Sequence, residues 1–375
     1  MSKVKTHPQT HETPAADPDH QHIAAIGVDV AKDKLDVQMM RSSEKNAKTT
    51  YKQFTNSPAG FAKLVRWVDQ LISQAGQSGP NLRPHYCMES TGSYSQALAQ
   101  FLAESGQLVS VVNPYQIKRY GEAVGMLTKN DKADARVIAD YCRSQSPKPW
   151  HLARPEVRTL VALLRRLQGV EQHLQQETNR AKEPGMIKPV VRSIQKTIRF
   201  LEKEIASLKV QIRCHIDSDD DGPDGLRNSR ELLLSVGGIG ETLATCILAQ
   251  MPDKSSFNSS SSVGAYAGLS PKEHKSGTSV DRRTHISRKG NAHLRRALYM
   301  PALSACRHNP LLADLYKRLI SRGMSPKAAI CAVMRKLLML AYGVLKSGQP
   351  FQLDWAEQQA AKRREKNTQI IAVPA

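Results

Sequence analysis

The sequence predicts a mixed α/β domain at its N-terminal side, then a long helical hairpin, then a mostly α-helical domain. Three observations predict this. Short apolar runs ending in acids, Ile23–Asp29 and His85–Glu89, alternate with amphipathic stretches up to about residue 150, the rhythm of a sheet covered by helices. Apolar residues then recur in steps of three and four from Val157 to Ile212, as packed helices require. Beyond residue 230, Gly-rich turns separate further helical runs.

Taken in order, residues 1–22 are polar, with Pro8, Pro14 and Pro18. Despite His7, His11, His20 and His22, this composition predicts a disordered tail rather than a metal site or a signal peptide. Within an α/β domain read as residues 23–150, Ile23–Asp29 is a buried strand and Leu35–Met39 its hairpin partner. Tyr51–Phe54 reads as a third strand. Ser57–Gln77 reads as a helix with Phe61, Leu64, Val65, Val68 and Leu71 on one stripe. His85–Glu89 is a strand ended by a Ser-Thr-Gly turn, Tyr94–Glu104 a helix, and Gln107–Pro114 a buried strand stopped by proline.

Residues 151–215 read as a coiled-coil hairpin. Val157, Leu160, Leu164, Leu167 and Leu174 form one seam, and Val191, Ile194, Ile198, Leu201, Ile205, Leu208 and Ile212 the other, with Pro184, Gly185 and Pro189 between them. The pattern leaves open whether the seam closes within one chain or between chains, and leans toward a part in oligomerisation. The acidic stretch Asp217–Asp224 reads as a solvated linker within residues 216–230. In the domain read as 231–351, Leu232–Gly240 leads into the helical run Glu241–Met251. This suits a helix-hairpin-helix in which Gly238 and Gly240 bare amides to a phosphate; the plain alternative is a tight helical turn. Residues 352–375 form a tail, and its basic run Lys362–Lys366 reads as solvated.

Lys plus Arg number 54 against 34 Asp plus Glu, a net charge of +20, which points to a polyanionic partner, nucleic acid first. No apolar run approaches the roughly 20 residues that span a bilayer. Six scattered cysteines without a Cys-x-x-Cys pair exclude a zinc knuckle or a disulfide framework and fit a reducing cytoplasm.

Four acids carry the chemistry: Asp29 and Glu89 at strand ends, and Asp131 and Asp134 three apart at a helix start. Acids in a first turn also suit the helix dipole, so simple capping is the alternative for that pair. Together the four form a hard-oxygen set for magnesium or manganese against phosphates. Farther on, residues 265–304 are rich in Gly, Ser and cations. Lys275, Arg282, Arg283, Arg288, Lys289, Arg295 and Arg296 concentrate charge where a phosphodiester would bind. A serine among them would be a candidate nucleophile, but Ser270, Ser276, Ser279 and Ser287 all lie there, and loop serines are common. The Ser259–Ser262 run is low-complexity.

These residues resemble the insertion-sequence 110 family of transposases. The likeness lies in Gly27–Val37, Glu89–Tyr94, Val112–Pro114 and Lys129–Arg136, then in Gly237–Gly240, Ala267–Pro271, Ser276–Gly277 and Arg295–Pro301, covering Ile23 to Phe351. The resemblance implies a RuvC-like, RNase H-like first domain and a C-terminal transposase domain. It implies that Asp29, Glu89, Asp131 and Asp134 are the DEDD metal ligands, with Lys129 beside the bound nucleic acid. It further implies that Ser276 attacks DNA to form a phosphoserine link. The partners it implies are donor and target double-stranded DNA, a structured noncoding guide RNA, and further copies of the chain as a dimer or tetramer, in the bacterial cytoplasm at the nucleoid. Two other readings stand beside it: a RuvC-like nuclease that uses water, and an inactive nucleic-acid-binding relic.

Overall fold

A computed structural model describes residues 23–40, 49–76, 82–90, 92–126, 130–220, 222–276 and 280–352. The histidines of residues 1–22, the Lys362–Lys366 run, Lys129 and Gly277 lie outside the described residues. Two compact units divide the chain, residues 1–152 and 153–375.

In the first unit, β1 (Ile23–Val30), β2 (Lys34–Met40) and β3 (Thr49–Thr55) are antiparallel neighbours. β4 (Arg83–Glu89) and β5 (Leu108–Val112) run parallel to β1 on its other side, giving the order β3-β2-β1-β4-β5. β1 is the central strand, which explains a run that is apolar on both faces. β3 lies at the edge and buries only Phe54. α1 (Pro58–Gly76) and α2 (Ser93–Glu104) cover one face through Ile26, Val28, Leu35, Leu64, Val68, Leu98 and Leu102. α3 (Pro114–Ala123) and α4 (Asp131–Gln145) cover the other, over Ala25, Cys87, Ile117, Val137, Ile138 and Cys142. Each buried Leu, Ile or Val among them contributes about 1.5–3 kcal/mol on leaving water.

The second unit opens with α5 (Pro155–Arg180) and α6 (Lys188–Ser218). Arg154, before α5, pairs with Asp219, just past α6, at 2.8 Å, so the helices run antiparallel. Leu160, Leu164, Leu167 and Val170 meet Leu201, Ile205, Leu208, Ile212 and Ile216, so this half of the seam closes within the chain. Toward the connecting turn it opens: Val191, Ile194 and Ile198 are half-buried, and Ile187 is 65% exposed.

The expected solvated linker is structured instead. Asp219 is buried and accepts hydrogen bonds from Arg154 Nη2 (2.8 Å) and the Leu226 amide (3.0 Å), while Gly222–Asp224 forms a 3-10 turn. Its carboxylate tolerates burial because a guanidinium and an amide both compensate it.

α7 (Leu226–Leu234), α8 (Glu241–Gln250), α9 (Ser260–Tyr266), β6 (Pro271–Ser276), β7 (Val280–Ile286), α10 (Ala292–Ala297), α11 (Tyr299–His308), α12 (Pro310–Ser321) and α13 (Pro326–Ser347) complete the unit. Its core gathers Leu233, Val236, Ile247, Val263, Leu294, Leu298 and Leu337. Ser259 caps α9 in a reciprocal box with Ser262, which gives the serine run a structural use. α13 corrects one expectation: among the described residues it is the one helix long and apolar enough to cross a membrane. Its Ile330, Val333, Met334, Leu337 and Leu338 are buried in the unit's core.

Candidate active site

Asp29 is the next-to-last residue of β1, and Glu89 the last of β4. These strands are parallel neighbours with Val28 opposite Met88, so the two acids emerge at the same end of the sheet, one strand apart. Asp131 and Asp134 form the first turn of α4, where Asn130 caps the helix by accepting from the Ala133 amide at 2.8 Å. The depth of α4 over β1 depends on Gly27. A Cβ there would stand 2.2 Å from both the Ala135 carbonyl oxygen and the Ala139 nitrogen, so only glycine lets the helix lie this close. Ala135 follows Asp134 directly, so this contact sets the height of the acidic turn over Asp29.

The charges respond accordingly. Burial, then the charges of Asp134, Asp131 and Asp36, push Asp29 up to about 6. Burial, then Asp29 and Asp134, push Glu89 up to about 7. Asp131 moves the other way, held below the usual carboxylate range by the Lys34 ammonium. All four predicted acids are therefore brought together. Among the described residues, no three carboxylate, imidazole or thiol groups are yet close enough to enclose one ion. The donor set, all carboxylate oxygen, fits magnesium or manganese and no softer metal.

Sequence reasoning missed the residues behind this cluster. Asp36 lies directly across from Asp29 in the β1–β2 pairing and is 2% exposed. It accepts hydrogen bonds from the Tyr51 hydroxyl and from Gln53 Nε2 (3.1 Å), both on β3. The Lys34 ammonium bridges Asp36 (3.2 Å) and Asp131. Lys132 lies 5.1 Å from the centre of the Tyr51 ring, a cation–π contact tying the start of α4 to the sheet edge. No local signal marked Asp36, a polar position of an alternating strand.

The cation-rich segment, expected as a loop, forms the two-stranded ribbon β6–β7. Ser276 is the last residue of β6 and pairs with Val280, and Lys275 pairs with Asp281. The side chains of Lys275, Ser276, Arg282 and Arg283 lie outside the described residues. Ser276 belongs to the second unit and the acids to the first.

Below the ribbon, Arg288 takes a left-handed backbone (φ 54°) and is exposed, like Lys289 and Arg296. Arg295 instead turns inward and donates to the Ala267 carbonyl at 2.9 Å. It supports a close-packed knot in which a Cβ on Gly290 would meet the Tyr266 carbonyl oxygen at 2.3 Å. The helical hairpin divides similarly. Gly238 has φ +102°, and a Cβ there would reach the Ala305 side chain at 2.5 Å, whereas Gly240 is open. The first turn of α8 carries Glu241, held by Arg213 and Arg230 at 4.0 and 3.9 Å.

A sheet-borne acid cluster and a basic helical unit are the parts of an enzyme that works on nucleic acid, and the comparisons agree. A family model described as a transposase matches residues 26–183, and one described as a transposase of the IS116/IS110/IS902 family matches residues 230–317. The pilin gene-inverting proteins of Moraxella bovis and Moraxella lacunata are each 31% identical to this chain, over 87% of it and 97% of their own length. An uncharacterised 43.6 kDa protein of insertion element IS110 in Streptomyces coelicolor is 24% identical, over 62% of this chain and 51% of its own. The chain belongs to the IS110 family of transposases.

Proposed function

We propose that this transposase cuts and rejoins DNA through a phosphoserine intermediate, using the carboxylates of Asp29, Glu89, Asp131 and Asp134 to hold magnesium or manganese. The observation that carries this reading is the convergence of those four acids, with Asp29 raised by burial and by Asp134 and Asp131, and Glu89 by burial and by Asp29 and Asp134. The sheet order and the antiparallel β2 support a RuvC-like first domain. The bound ion would neutralise charge on the scissile phosphate. Ser276 gives up its proton and its oxygen attacks phosphorus. The DNA 3′ oxygen leaves as a hydroxyl, and the 5′ phosphate stays on the serine. A 3′ hydroxyl of the exchanged strand reverses the step, so bond energy is retained and no nucleotide is consumed. Arg288, Lys289 and Arg296 face solvent and suit the phosphodiester backbone, joined by Lys275, Arg282, Arg283 and Lys129.

Donor and target DNA are the substrates, and the name of the Moraxella relatives supports recombination between DNA sites. A structured guide RNA from the element supplies sequence choice, in the cytoplasm at the nucleoid. The open half of the α5–α6 seam, with Ile187 exposed, supports assembly with further copies of the chain. The test is a denaturing gel of protein incubated with magnesium, element RNA and donor DNA. A protein–DNA adduct is expected with wild type and lost in Ser276→Ala and Asp29→Asn. Cleaved DNA without adduct, equal in Ser276→Ala, would replace the serine with water.

A further inference from the structure

Lys34 sits against the acid cluster, yet the chemistry above gives it no role. Its ammonium bridges Asp131, one of the four acids, and Asp36, which is not one of them. The two anchors differ in kind. Asp131 is 53% exposed at the start of a helix, free to change partner. Asp36 is buried, fixed by Tyr51 and Gln53 on the neighbouring strand, and directly opposite Asp29. Lys34 itself is 42% exposed on a long flexible stem.

We propose that Lys34 is the built-in counter-ion of the acid cluster, a cation that holds Asp131 until a divalent ion takes it over. Without a cation, the acids of the cluster would repel one another at the end of one sheet. Lys34 offsets that repulsion while Asp36 keeps it tethered. When Asp131 turns to a divalent ion, Lys34 swings back onto Asp36 alone, so no charge is left buried without a partner. Lys34 is thus a positioning residue that competes with the ion for one carboxylate. Removing it should tighten ion binding while the cluster itself stays intact. The proposal rests on the metal-binding reading of the four acids.

The experiment is Mn2+ binding to the full-length protein by calorimetry, without nucleic acid, for wild type, Lys34→Gln and Asp29→Asn. A partly exposed pair of this kind should shift binding by about 3- to 10-fold. The expected result is that Lys34→Gln binds Mn2+ that much more tightly than wild type, while Asp29→Asn loses binding. Equal or weaker binding by Lys34→Gln, with Asp29→Asn still defective, overturns the Lys34 role and leaves the metal reading standing. Absence of Mn2+ binding in both wild type and Lys34→Gln overturns both. Amine labelling of wild type read by mass spectrometry needs no variant. Lys34 should label a few-fold faster once Mn2+ is added, and an unchanged rate overturns the exchange.

Discussion

The acid cluster and the serine ribbon are built on opposite plans. Asp29 and Glu89 stand on neighbouring strands of a five-stranded sheet, and Asp131 and Asp134 begin the helix that Gly27 lets lie close over it. Ser276 ends a strand of a two-stranded ribbon, an element with little stability of its own. Its support comes from the knot at its base, where Gly268, Arg288 and Gly290 pack backbone against backbone and the Arg295 guanidinium donates to the Ala267 carbonyl. The acid cluster is thus fixed by packing, and Ser276 is carried on a short ribbon with a close-packed root. Under the proposed function, such a division suits a nucleophile that travels with DNA while the metal-holding acids stay in place.

The largest effect should come from Gly27→Ala. Its methyl would strike the α4 backbone, costing about 3 kcal/mol and displacing the acidic turn. Thermal unfolding and Mn2+ binding should both fail together. Next, Gly290→Ala should cost about 2–3 kcal/mol, because its methyl meets the Tyr266 carbonyl oxygen. Here Mn2+ binding should survive while DNA joining is lost, separating the two halves.

The acids provide a third contrast. Asp29 and Glu89 hold protons more tightly folded than unfolded. Their contribution to stability is greatest in acid and declines as pH rises from about 4 through 6 to 7. Metal-free Asp29→Asn should therefore be more stable than wild type at pH 8, by about 1 kcal/mol after discounting for solvent, and equal to it at pH 4. Calorimetric melts across that range give the answer; a variant less stable at pH 8 would contradict it.

The smallest effects distinguish two adjacent arginines. Arg295→Ala should lose about 1.5 kcal/mol of stability with its bond to Ala267. Arg296→Ala should leave stability unchanged and lower the salt slope of DNA binding by about 0.9. Binding titrations at several salt concentrations separate them.

Much of the acid cluster was legible because its geometry is local. A strand that ends on an acid and a helix that begins with two carry their own direction. The strands β1, β2 and β4 and the start of α4 were readable for that reason. Asp36 was not, because a polar residue in an alternating strand normally marks the solvent face. Its burial follows from pairing with Asp29 and from the cover of α4, both non-local. Arg295 misled in the opposite sense: an arginine among arginines reads as a phosphate contact, yet its partner is a carbonyl brought close by Gly268. Asp219 looked like part of a solvated acidic run because Arg154, its partner, lies 65 residues away. The ribbon escaped notice because its cations and serines dilute any apolar alternation.

The central claim is that Ser276 becomes covalently bonded to DNA at a step requiring the four acids. The most direct measurement is mass spectrometry of the protein–DNA adduct after digestion with nuclease and protease. A single modified peptide is expected, with a 5′-phosphonucleotide on Ser276, absent when Asp29 is replaced by Asn. A nucleotide on any other residue, or efficient strand cleavage with no modified peptide, would contradict the account.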